Sequence, residues 1–134
     1  MKPFRLFDEA AHARLTHLAK SADASPRLTP IQRQELAALL KESAVAIDTD
    51  ELSRRAALGD RVRLVAPQDA DDWYELELVL PPDADVDADR ISLFTPVGLA
   101  VLGRKCGDSV AWEVPAGVRE MTIASVAKPV AVAT

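Results

Sequence analysis

The sequence predicts an α+β protein: an N-terminal antiparallel helical hairpin, in effect a short coiled coil, followed by an antiparallel sheet with one short helix. Three observations predict it. Apolar residues recur at helical spacing as far as Ile47 and then alternate at strand spacing. In mid-chain, Thr29-Pro30-Ile31-Gln32 combines a capping Thr, a Pro at the first helical position and a Gln three residues after the cap. Thr95-Pro96 then opens a nearly charge-free helical turn or two between strand-like runs.

Taken in order, Asp8 is placed to cap a first helix in which Ala11, Leu15, Leu18 and Ala22 share one face, with Arg14 and Lys20 elsewhere on its circumference. The stretch "SADASPRL" breaks the pattern. In the second helix Leu36, Leu39, Leu40, Ala44 and Ile47 continue the apolar stripe, so the two helices can bury their seams against each other. Helices of about 14 to 17 residues project about 20 to 25 Å. The hairpin is expected over residues 1–53 and the sheet domain over 54–134.

In the second part "DRVRLVA" alternates Val62 and Leu64 with Arg61 and Arg63, and "DWYELELVL" alternates Trp73, Glu75 and Glu77 with Tyr74, Leu76 and Leu78. Further strands are expected at Ile91 to Phe94, Val110 to Val114 and Val118 to Val126, with Pro115-Ala116-Gly117 as a tight turn. The inserted helix carries Val97, Leu99, Ala100, Val101 and Leu102, and Gly103 and Gly107 supply the backbone that ends it. Gly98 inside that helix costs about 1 kcal/mol relative to Ala. Its expected use is a close backbone approach to the domain's own sheet.

Composition narrows the function. Apolar residues form 49% and charged residues 28% of the 134, the balance of a globular protein. No run approaches the roughly 20 apolar residues of a membrane span, and "MKPFRLFDEAAHARL" lacks a signal-peptide core, so a cytoplasmic location with no membrane partner is expected. A net charge of −5 argues against direct, sequence-specific nucleic-acid binding. The single cysteine, Cys106, excludes an internal disulfide and a multi-Cys zinc site.

No residue set reads as catalytic or metal-binding, and no cofactor is expected. Arg104 and Lys105 beside Cys106 favour a thiolate, yet no His is near it in sequence to act as base, so Cys106 reads as structural or incidental. His12 and His17 are five apart and do not share a helical face. Asp83, Asp85, Asp87 and Asp89 imitate the start of a calcium loop, but its sixth and twelfth positions are Ala88 and Phe94, not Gly and Glu, so the segment reads as a solvated acidic loop. Trp73 and Trp112 fit sheet positions better than base-stacking platforms.

"RISLFTPVGLAVLGRKCGDSVAWEVPAGVREMTIASV" closely resembles the C-terminal domain of the GreA/GreB transcription elongation factors. The resemblance covers Ala56 to Val126, with the hairpin matched in outline. Pro96-Val97-Gly98, Leu102-Gly103, Gly107-Asp108-Ser109, Trp112 and Pro115-Ala116-Gly117 look most like the Rnk branch, named for regulation of nucleoside diphosphate kinase.

What the resemblance implies is an FKBP-like domain that docks on RNA polymerase at the rim of the secondary channel, with the helical arm directed toward the channel. The docking set so implied is Phe94, Thr95, Pro96, Val97, Gly98 and Arg104. Gre factors typically present Asp-Ser-Pro at this corner, whereas this chain has Phe94-Thr95-Pro96, so shape and apolar burial replace a salt bridge. The Gre arm ends in paired acids that help hold a catalytic magnesium. Here the tip carries one acid, Asp23, and the cation Arg27, so polymerase binding without strong cleavage stimulation is expected. Three alternatives stand beside it: a true cleavage factor using Asp23, a peptidyl-prolyl isomerase by fold analogy, and a module for another protein partner such as a nucleotide kinase.

Overall fold

The computed structural model describes residues 5–129. A short strand β1 (Arg5–Phe7) leads directly into α1 (Glu9–Lys20), and α2 (Pro30–Lys41) is followed by β2 (Ser43–Val45) and a single-turn helix α3 (Thr49–Ser53). The main sheet holds β3 (Arg61–Ala66), β4 (Asp69–Val79), β5 (Arg90–Ser92), β6 (Ser109–Val114) and β7 (Gly117–Ala127), and α4 (Pro96–Val101) lies between β5 and β6. Their order across the sheet is β5-β4-β3-β7-β6.

Both predicted helix starts are present. The Asp8 carboxylate accepts from the Ala11 amide at 2.6 Å. At α2 the capping box is complete: Thr29 Oγ1 accepts from the Gln32 amide at 3.1 Å, and Gln32 Oε1 accepts from the Thr29 amide at 3.0 Å. Leu15, Leu18, Leu36 and Leu39 are the buried residues of the two helices, which pack on each other. Ala24 and Leu28 in the intervening turn are buried too and join the same core.

Each helix has 12 residues, shorter than the apolar spacing predicts. Ala22 lies beyond the cap of α1. At the end of α2 the Glu42 amide donates to Leu39 O at 3.0 Å and Ser43 Oγ donates to Leu40 O at 2.7 Å, closing the last turn. Ala44 then enters β2, which pairs in parallel with β1 in the register Arg5↔Ser43 to Phe7↔Val45. Ile47, placed on the helical stripe by spacing alone, is 90% exposed.

In the sheet the alternation holds. Val62, Leu64, Leu76 and Leu78 are fully buried, while Trp73 on the opposite parity of β4 is 48% exposed. One direction differs from expectation: β5 runs parallel to β4, with Leu78 opposite Ile91. Two 3₁₀ turns, Pro81–Asp83 and Val86–Ala88, fold the acidic segment back so that the chain re-enters the sheet in the direction it left. The other neighbouring pairs are antiparallel. Leu93, Val101, Leu102, Met121 and Ile123 complete the core beneath the sheet.

Asp60 is 2% exposed just before β3; its Oδ2 accepts from the Ala57 amide at 2.8 Å and from the Lys128 ammonium, which also donates to Arg55 O at 2.6 Å. Burial pushes this carboxyl above its ordinary value, with Lys128 and the Ala57 amide pulling the other way. The folded chain therefore holds the proton to higher pH than the unfolded chain. Asp60's contribution to stability is full below the ordinary carboxylate range and falls as pH rises through its folded value. Denaturant midpoints for Asp60→Asn, measured between about pH 3 and pH 6, should lose this downward component relative to the parent, and an unchanged slope would count against it. Asp60→Ala, which strips the Ala57 amide of its acceptor, should cost about 2 kcal/mol.

Candidate functional site

The predicted docking residues fall into two places, and the predicted tip residues into a third. Phe94 to Gly98 form one corner where the chain leaves β5 and starts α4. Thr95 is the N-cap: its Oγ1 accepts from the Gly98 amide at 3.1 Å and donates to Ser92 O at 2.9 Å. Both of the hydroxyl's directional roles are thus filled within the corner. The Thr95 amide also donates to Ser92 O at 3.1 Å, and the Phe94 amide donates to Ser92 Oγ at 3.2 Å. Pro96 at the first helical position is exposed, Phe94 is half-buried against the core, and Val97 is buried.

Gly98 makes the close approach that its position predicts. A Cβ there would stand 2.5 Å from Ser92 O, 2.7 Å from Leu93 O and 2.8 Å from Leu93 Cα. The helix therefore lies directly on the backbone of its own preceding segment. Val97 and Gly98 shape the corner from within, and its outer surface is Pro96 with the exposed parts of Phe94 and Thr95.

Arg104 lies past the other end of α4. Its Nε donates to Asp108 Oδ2 at 3.2 Å, and that carboxylate also accepts from the Lys105 amide at 3.0 Å, so this guanidinium holds the loop into β6. Cys106 is half-buried and its thiol donates to Ala124 O at 3.3 Å. Asp23 and Arg27 occupy the turn between α1 and α2, far along the chain from the corner. Their side chains are 95% and 78% exposed and stand 4.0 Å apart. Among the described residues no group of three or more His, Cys, Asp or Glu side chains is placed to hold a metal ion.

The family description Transcription elongation factor, GreA/GreB, C-term matches residues 51–128, more than half of the chain and all of the corner. The chain belongs to the GreA/GreB transcription elongation factor family. It is 35% identical over 94 residues to the transcription elongation factor GreA of Thermodesulfovibrio yellowstonii, a match that covers 69% of this chain and 58% of that protein. With GreA of Agrobacterium fabrum it shares 30% identity over 111 residues, covering 82% of this chain and 67% of the relative. Among solved structures, a GreA/GreB prokaryotic transcription elongation factor from Nitrosomonas europaea superposes with a TM-score of 0.71 at 28% identity, covering 94% of this chain and 99% of that one. The chain thus spans a little under three fifths of the first GreA relative's length, 58%.

Within this family member, one structural joint carries no signal in the sequence. Arg5, an unremarked cation near the N-terminus, is only 9% exposed, and Gly103, expected merely to end α4, has φ +79° and receives the β1 side chains where its own Cβ would be. An exposed and a buried arginine look alike in sequence. Gly98→Ala should lose about 1 to 3 kcal/mol by overpacking, and Thr95→Ala about 1 kcal/mol by loss of the cap, both read from urea midpoints. Thr95→Ser, which keeps the capping oxygen, should stay close to the parent, and equal losses in Thr95→Ser and Thr95→Ala would discount the cap.

Proposed function

We propose that this chain is a non-enzymatic, cytoplasmic regulator of transcription that binds RNA polymerase near the secondary channel. It does so through the corner at Phe94 to Gly98, in the manner of the Rnk branch. The α1/α2 pair acts as an arm over residues 1–53 directed toward the channel, and the domain from residue 54 onward is of FKBP-like type. The observation that carries this reading is the family match over residues 51–128, which includes a corner whose exposed proline is already fixed by Thr95, Ser92 and Gly98.

The tip chemistry supports binding without strong cleavage stimulation. A hard divalent ion shared with a polymerase site draws on several oxygen ligands. Asp23 is the one carboxylate in the turn between the helices and has Arg27 beside it at 4.0 Å. A guanidinium at that distance competes with a metal for the same oxygens. The isomerase alternative is disfavoured because such enzymes use an aromatic-lined pocket, whereas this chain has six aromatic residues, two of them, Phe4 and Phe7, in the N-terminal segment, and fold alone does not confer the activity.

The test is binding of the purified chain to core RNA polymerase with a GreA protein as competitor. Saturable binding that GreA displaces is expected, weakened about tenfold by Pro96→Asp, a substitution the start of α4 tolerates because an acid is favourable there. No saturable binding, or binding indifferent to both GreA and Pro96→Asp, would sink the proposal. In backtracked complexes little stimulated transcript shortening is expected; robust shortening that vanishes in Asp23→Ala would make the chain a cleavage factor instead. A peptide isomerisation assay should return the uncatalysed rate.

A further inference from the structure

Both ends of the α1/α2 pair converge on one buried guanidinium. Arg5 Nη1 donates to Leu102 O, the cap of α4, at 2.7 Å, and its Nε donates to Glu42 Oε2, the cap of α2, at 3.4 Å. The Arg5 amide donates to Glu42 O at 3.2 Å and the Leu6 amide to Gly103 O at 3.1 Å. Gly103 in turn has no room for a side chain: a Cβ would lie 2.7 Å from Phe7 Cζ and 2.8 Å from Arg5 Cβ. Phe7 is 2% exposed, and Asp8, the next residue, caps α1.

A single side chain therefore ties together the segment that opens α1, the residue that closes α2 and the residue that closes α4. At its other end α4 begins with Thr95-Pro96. The path from the corner to the helix pair runs along six helical residues and then through the Arg5 guanidinium at Leu102, with the Leu6 amide beside it at Gly103. α1 also meets the domain directly: Phe7, Ala11, Arg14 and Leu15 share a partly open cleft with Ala57 and Leu58, Arg14 shares a second with Glu77, Leu80 and Asp83, and Leu15 and Leu18 belong to the same apolar core as the sheet.

We propose that Arg5 is the positioning residue that fixes the direction of the α1/α2 pair relative to the Thr95-Pro96 corner, so that contact made at the corner determines where the tip goes. The consequence for transcription rests on the polymerase reading above; the geometry does not. Leverage makes the residue matter. A 12-residue helix is about 18 Å long, so a tilt of about 20° at its base carries the tip about 6 Å, more than twice a hydrogen-bond length.

The experiment measures the distance between spin labels at Ala22→Cys, beside the tip, and Val118→Cys, exposed at the β6–β7 turn, in a Cys106→Ser background. The parent should give one narrow distribution. Arg5→Met should broaden it or shift it by about 5 Å while the circular dichroism of helix and sheet is retained. Gly103→Ala, which pushes β1 away, should act in the same direction, and Arg5→Lys, which can reach one of the two acceptors, should fall between parent and Arg5→Met. A folded Arg5→Met with the parental distribution overturns the proposal. Should Arg5→Met fail to fold, Glu42→Ala at the half-exposed partner, which leaves the Leu102 bond in place, should fall between the parent and Gly103→Ala, and a parental distribution in both overturns the proposal.

On polymerase, Arg5→Met should keep parental affinity within about threefold and lose its effect on transcription. A parent that does not bind polymerase would remove the functional reading and leave the distance result standing.

Discussion

A methyl group at Gly98 would sit inside the contact distance of two carbonyl oxygens, Ser92 O and Leu93 O, and one at Gly103 would strike the ring of Phe7. The short helix that contains the first and precedes the second is pressed on the backbone of β5's exit at one point and on β1 just past its other end. Six residues do not form a stable helix in water on their own. This one persists because Thr95 caps it, Val97, Val101 and Leu102 bury their side chains, and two glycines let neighbouring segments come close. The sheet core, the corner and the attachment of the N-terminal helices all depend on that packing.

Charge is arranged on two levels. On the open face of the sheet Glu75 receives Arg63 at 2.9 Å and Arg61 at 3.7 Å, and the Arg63 guanidinium lies 4.2 Å from the centre of the Trp73 ring. Pairs this exposed contribute little stability, on the order of 0 to 1 kcal/mol each. Arg5 and Asp60 are the buried charged residues among those described, and both stand at joints. Arg5 joins the helix pair to α4, and Asp60 joins the end of β7 through Lys128 to the segment before β3. Burial lowers the pKa of Arg5, with Glu42 opposing the shift, and raises that of Asp60. Each charged form carries a desolvation cost that only its specific partners offset. Such groups are poor sources of net stability, but they penalise any arrangement in which the joint is made differently.

What was legible in the sequence were features whose physics is local. The Thr29–Gln32 box, the Asp8 cap, the Thr95-Pro96 start and the period-two pattern of β3 and β4 are fixed by residues within a few positions of one another, and each is present. The Gly98 approach could be anticipated because glycine in a helix has a known cost that something must offset. Features that depend on distant segments were not legible. Strands of three residues such as β1 and β2 have no measurable period, and alternation is blind to direction, so β5 was expected as a strand and its parallel pairing with β4 was not. Ala44 and Ile47 continue a spacing of three to four residues from Leu40 and so imitate a helix that Glu42 and Ser43 have already closed. At the candidate site the corner was legible and its anchor was not, because burial of Arg5 is decided by Leu102, Gly103 and Glu42, none of them near it in sequence.

The corner also has the properties an association surface benefits from. Binding costs conformational freedom for each side chain that must be immobilised, about 0.5 to 1.5 kcal/mol for rotamer-rich ones. Pro96 has its ring fixed, and Thr95 has its hydroxyl committed both as donor and as acceptor. Phe94 is partly packed against the core, and Gly98 leaves the helix no latitude to shift along β5. Under the proposed reading, little ordering is left to be done at the corner when a partner arrives. A charged corner would gain steering at a distance and would be weakened by salt; an apolar, preset one relies on shape. For a chain of net charge −5, a contact of that kind also avoids adding like-charge repulsion where the partner surface is acidic.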